Sequence, residues 1–74
     1  MKKFAVGVIN FFNNDLVIEI IEADGWKDAL GKHRAFIPYS IEEMNEMFPD
    51  DSQEKAKNEA FNMDMMIDVK EIYD

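Results

Sequence analysis

Two runs dense in Phe, Val and Ile, residues 3–12 and 16–23, stand on either side of Asn13-Asn14. β-Branched and aromatic residues in runs of this length favour strands, and Asn tolerates the positive φ that a tight reversal needs. The chain is therefore expected to be built round an antiparallel hairpin. A two-residue turn at Asn13-Asn14 pairs Phe11 with Leu16, Ile9 with Ile18 and Gly7 with Ile20, and gathers them on one almost wholly apolar face. The other face carries Phe4, Val6, Val8, Val17 and Ile21, broken by Asn10, Asp15 and Glu19. That second face is too apolar to sit bare in water, so a helix or another chain has to cover it. If the cover is a second copy, Val6, Val8, Val17 and Ile21 are the expected contacts.

Beyond the hairpin the period changes. Asp24 reads as an N-cap, and Trp26, Ala29, Leu30 and His33 follow at helical spacing on one stripe. Gly31 weakens that short helix by about 1 kcal/mol relative to Ala. Pro38 bars its continuation into the next segment. Ser40-Ile41-Glu42-Glu43 is a capping box, with Tyr39 and Met44 at the staple positions. The helix it opens presents Ile41, Met44, Met47 and Phe48 and stops at Pro49. Asp51-Ser52-Gln53-Glu54 offers a second box with Asp51 as cap, opening a helix that carries Ala56, Ala60 and Phe61 and ends near Asn62. Residues 65–72 alternate as a last strand with Met65, Ile67 and Val69 inward. The expected fold is α+β, in the order β-β-α-α-α-β: a three-stranded sheet, antiparallel at the hairpin, with short helices packed on one face.

Seventy-four residues make one small acidic domain, 1–74. A chain this short buries only about 60% of its unfolded surface. It has no cysteine, so neither a disulfide nor a thiolate metal site supplements the core. Self-association is a natural supplement, and a homodimer is expected. The longest stretch without a charge, Phe4 to Asn14, is eleven residues, whereas a membrane span needs about twenty. Met1-Lys2-Lys3 precedes that stretch as in a secretion signal, but no small-residue cleavage site follows. A cytoplasmic protein without membrane contact is expected.

The net charge of -8 is one-sided. Residues 1–39 hold five acids and five bases, and residues 40–74 hold eleven acids and three bases. Glu42, Glu43, Glu46, Asp50, Asp51 and Glu54 follow one another with no base between them. Such a field repels nucleic acid, whose binding requires phosphate neutralisation. It suits a basic protein surface, or serves solubility.

Tools for catalysis are few. There is one His, no Cys and no Thr, and the two serines, Ser40 and Ser52, have a structural role at or beside a cap. Neither spacing suggests a nucleophile with its base and orienting acid, so no catalytic residue is assigned. His33 reads as a helix C-terminal residue interacting with the dipole, with a proton shuttle or ligand as the alternative. The carboxylate pairs lack calcium-loop spacing, and neither metal nor cofactor is expected. The aromatics are interleaved with apolar and acidic residues and read as core, with Trp26 and Tyr39 as candidate interface anchors. Met44, Met47, Met63, Met65 and Met66 fill a core or form an adaptable binding surface.

Taken along nearly its whole length, the chain resembles small uncharacterised acidic proteins of tailed bacteriophages and prophages. The likeness lies in the opening Met-Lys-Lys-Phe-Ala-Val, the hairpin Ile9 to Asp24, Trp26-Lys-Asp-Ala-Leu30 and the tail Ala60 to Ile72. It implies a phage-encoded, non-enzymatic protein that binds and blocks a host protein, either nucleic-acid-binding or a defence nuclease. On this expectation Glu42, Glu43, Glu46, Asp50, Asp51 and Glu54 form a DNA-mimicking partner-binding surface. The alternative is a small self-associating structural or assembly module whose acids only keep it soluble.

Overall fold

In the computed structural model, residues 1–37, 39–49 and 51–73 are described, with Ile41 described by its backbone only. The elements run β1 (Lys2–Asn10), β2 (Asp15–Ala23), α1 (Trp26–Lys32), α2 (Ile41–Met47), α3 (Gln53–Asn62) and β3 (Met65–Ile72). The three strands form one antiparallel sheet in the order β2-β1-β3. The fold is α+β, as the periodicities require. The places given to Pro38 and Asp50, and to the Ile41 side chain, lie outside the described residues.

The hairpin register differs from the expected one. Ile9 pairs with Leu16, Gly7 with Ile18 and Ala5 with Ile20, and Phe11 to Asn14 form a four-residue turn. Asn10 is the cause. Its side-chain oxygen accepts the Phe12 N–H at 2.9 Å, and its carbonyl accepts the N–H groups of Asn13 at 3.3 Å and Asn14 at 2.9 Å. Asn14 takes the left-handed conformation, φ 50°, which Asn adopts at low cost. Phe11 is drawn out of the strand: its N–H donates to the Asp64 carbonyl at 3.0 Å, and its ring meets Phe61 edge-on at 5.6 Å. The register moves by two residues, and because side chains alternate with period two, each residue keeps its expected face.

The helices cover the face of Phe4, Val6 and Val8. These join Ile67 and Val69 of β3 and Ala29, Leu30, Phe36, Met44, Phe48, Ala56 and Ala60 in one core. Phe36 and Phe48 meet edge-to-face at its centre, ring centroids 5.9 Å apart. Full burial of side chains of this size contributes about 1.5–3 kcal/mol each. The expectation that Val6, Val8, Val17 and Ile21 contact a second copy is thereby corrected. Val6 and Val8 are sealed beneath this chain's own helices, and Ile21 packs against the same core. Val17, half-buried, shares their face.

The caps are partly as read. Ser40 and Glu43 make the reciprocal capping box at α2. At α1 the cap is Gly25, without a side-chain bond, and Asp24 lies one residue further out. At α3 the cap is Ser52, whose hydroxyl accepts from the Lys55 N–H; Asp51 precedes it. In both corrections the helix begins one residue later than expected, once the strand or connector before it has reached its packed position. No helix among the described residues is long and apolar enough to cross a membrane.

Candidate functional site

The acidic residues are distributed over the helical layer. Glu42, Glu43 and Glu46 are exposed on α2, Asp51 on the connector and Glu54 in the first turn of α3. Asp50 lies outside the described residues. Two of the five described acids serve the fold. The Glu43 carboxylate accepts the Ser40 N–H at 3.4 Å within the capping box. Asp51 pairs with the Lys27 ammonium at 3.3 Å. Glu42, Glu46 and Glu54 remain exposed without an ion pair among the described residues. By contrast Lys2, Lys27, Lys32, Arg34 and Lys57 are each within ion-pair distance of an acid of this chain. No group of three or more potential metal ligands occurs among the described residues.

Trp26, read as an interface anchor, is a clasp. Its indole N–H donates to the Asp51 carbonyl at 3.1 Å, tying α1 to the start of α3, and its ring packs half-buried against the core. Tyr39 keeps 44% of its surface exposed and leans on Phe36.

His33, read as a dipole contact between Lys32 and Arg34, is a core residue, as its place on the stripe of Trp26, Ala29 and Leu30 signalled. It ends α1 fully buried. Its Nδ1 lies 3.1 Å from the Ala35 N–H and accepts it; its Nε2 lies 3.0 Å from the Val17 carbonyl. That pair of partners selects the tautomer with the proton on Nε2, donated to Val17. Beside it, the Arg34 N–H donates to Glu19 Oε1 at 2.7 Å. This hydrogen bond holds the Glu19 carboxyl below its usual range. Partial burial opposes it, and the neighbouring His33 imidazole and Arg34 guanidinium reinforce it. Glu19, which interrupts the apolar inner face in sequence, is thus absorbed at the sheet edge.

These contacts have a common consequence for the sheet. At β2 the Lys32 ammonium meets the Glu22 carbonyl at 3.1 Å, while His33 reaches the Val17 carbonyl and the Arg34 N–H the Glu19 carboxylate. Along β3, the Gln53 side-chain oxygen accepts the Val69 N–H at 3.0 Å, and Lys57 pairs with Asp68 at 3.2 Å. Side chains of this chain thus take up the Glu22 carbonyl on β2 and the Val69 N–H on β3, which blunts edge-to-edge pairing at those positions.

Between the hairpin turn and the α1–α2 connector lies an open cleft of about 460 Å³, with Asn10, Asp15, His33, Arg34 and Tyr39 among its lining residues. Both His33 nitrogens are already engaged there, and no buried side-chain polar atom among the described residues lacks a partner. No protein-family model, curated protein or solved structure matches the chain.

Proposed function

We propose that this chain is a non-enzymatic, phage-encoded binding protein that captures and inhibits a host protein through that protein's basic, nucleic-acid-binding surface. Carboxylates of its helical layer stand in for phosphates. The observation that carries the reading is that Glu42, Glu46 and Glu54 are exposed and without an ion pair among the described residues, while most bases are taken up in internal pairs. An unbalanced field of one sign steers a complementary partner and rejects nucleic acid itself. Among the described residues these three side chains have no structural partner, whereas Glu43 and Asp51 have one.

The test is the triple variant Glu42→Gln, Glu46→Gln, Glu54→Gln, which spares both serine caps and the Lys27 pair. Wild-type and variant proteins are immobilised and challenged with a bacterial lysate, with duplex DNA as competitor and a salt series. The reading expects a partner that the wild type retains, that DNA displaces, that leaves steeply with salt, and that the variant fails to hold. Capture indifferent to the three charges, to DNA and to salt refutes it.

A further inference from the structure

The helices cover one face of the sheet only. On the other, Ile9, Leu16, Ile18, Ile20 and Met66 surround the small residues Ala5 and Gly7 of the central strand. Leu16, Ile18, Ile20 and Met66 are between 53% and 63% exposed. Three strands of this length at a spacing of about 4.8 Å present a face of roughly 400 Å² in projection, about two-thirds of it apolar because Lys3, Glu22, Asp68 and Lys70 take the rest, near the lower end of the largest patch on a typical monomer. We propose that this outer face is the interface of a symmetric homodimer, in which two sheets stack face to face. The inference is independent of the acidic surface, which lies on the helical layer.

Four observations point to a second copy as the occupant. First, the face has relief. The β2 side chains form a ridge, and Gly7 and Ala5 beside it floor a depression of about 290 Å³. A two-fold axis lets each copy seat its Ile18 ridge in the other's trough, as an isologous contact demands. Second, the face is electrically balanced. Lys3, Glu22, Asp68 and Lys70 project on this side and cancel, although the chain carries -8. A basic partner gains nothing here, and two acidic copies meet without opposing fields. Third, each edge strand has an outward backbone group taken up by this chain's own side chains, Glu22 on β2 and Val69 on β3, which disfavours sideways extension relative to stacking. Fourth, a stacked pair buries roughly 1,000 Å² once side-chain relief is included, the lower bound for a specific interface.

Sedimentation across roughly 1 µM to 1 mM tests this. The wild type is expected to pass from monomer to dimer, with little change at high salt and with the triple Gln variant dimerising at least as well. Ile18→Lys, at a site exposed in the monomer, is expected to keep the circular dichroism spectrum and weaken dimerisation by at least ~30-fold, as removal of a central anchor does. Should that variant misfold, methyl spectra of the wild type decide. Concentration-dependent shifts at Leu16, Ile18 and Ile20 but not at Val6 or Val8 support the interface, and shifts confined elsewhere overturn it. A wild type monomeric throughout assigns the face to a different partner and overturns the proposal. A dimer that Ile18→Lys leaves intact, or open-ended association beyond two copies, also overturns it.

Discussion

Replacing His33 by leucine removes a polar clasp while keeping a side chain of similar bulk. The Val17 carbonyl and the Ala35 N–H each lose their partner on the ring. A polar group left unpaired out of water costs about 1–3 kcal/mol, and two such groups cost about 2–4 kcal/mol where some solvent reaches them. The apolar gain of a fully buried leucine offsets roughly 1 kcal/mol of this. The expected net loss is therefore about 1–3 kcal/mol. Set against the roughly 4–11 kcal/mol that a domain of this size possesses, that is a large fraction. At about 4–8 °C per kcal/mol it lowers the melting temperature by roughly 4–24 °C. Urea titration followed by circular dichroism and by Trp26 fluorescence measures it. His33→Gln, whose amide can still donate towards Val17, is expected to lose less. A His33→Leu protein within about 0.5 kcal/mol of the wild type, or a His33→Gln protein equally damaged, would show that the two hydrogen bonds do not support the fold as argued.

Two further predictions follow from local geometry. Gly31→Ala is expected to stabilise by about 0.5–1 kcal/mol. The added methyl meets Met44 at an ordinary 3.7 Å and the glycine uses no positive φ; thermal melts showing destabilisation would mean that α2 cannot accept the contact. The Glu19 carboxyl, held low by Arg34, contributes stability that is complete above its ordinary value of 4.5 and is lost as pH falls through the lowered folded value. Glu19→Gln should therefore be less stable than the wild type at neutral pH and show a shallower acid limb in melting temperature against pH. An unchanged acid limb would refute the assignment.

Much of the architecture was legible in local pattern. The hairpin, the three helices and the last strand follow from periodicity. Ser40 with Glu43 announced the start of α2, because a capping box is satisfied within four consecutive residues and needs no tertiary partner. The face on which each strand residue lies was also legible, since the two-residue register difference leaves parity unchanged. Undetermined was which of two apolar hairpin faces the helices would cover. The signal lay in β3, where Asp68 and Lys70 alternate with Ile67 and Val69, but it can be read only through the pairing of Val6 with Val69 and Gly7 with Asp68. That pairing spans more than sixty residues of sequence, and no local rule reports it. The same holds for His33 and Trp26. Their types suggested a dipole contact and an interface anchor, and only packing showed that one reaches Val17 on the sheet edge and the other Asp51 across the helical layer. Composition and period are properties of neighbours in the chain, and they determined the elements and their faces. Burial, edge protection and the bare outer face depend on groups brought together from distant segments, and those the tertiary structure alone decided.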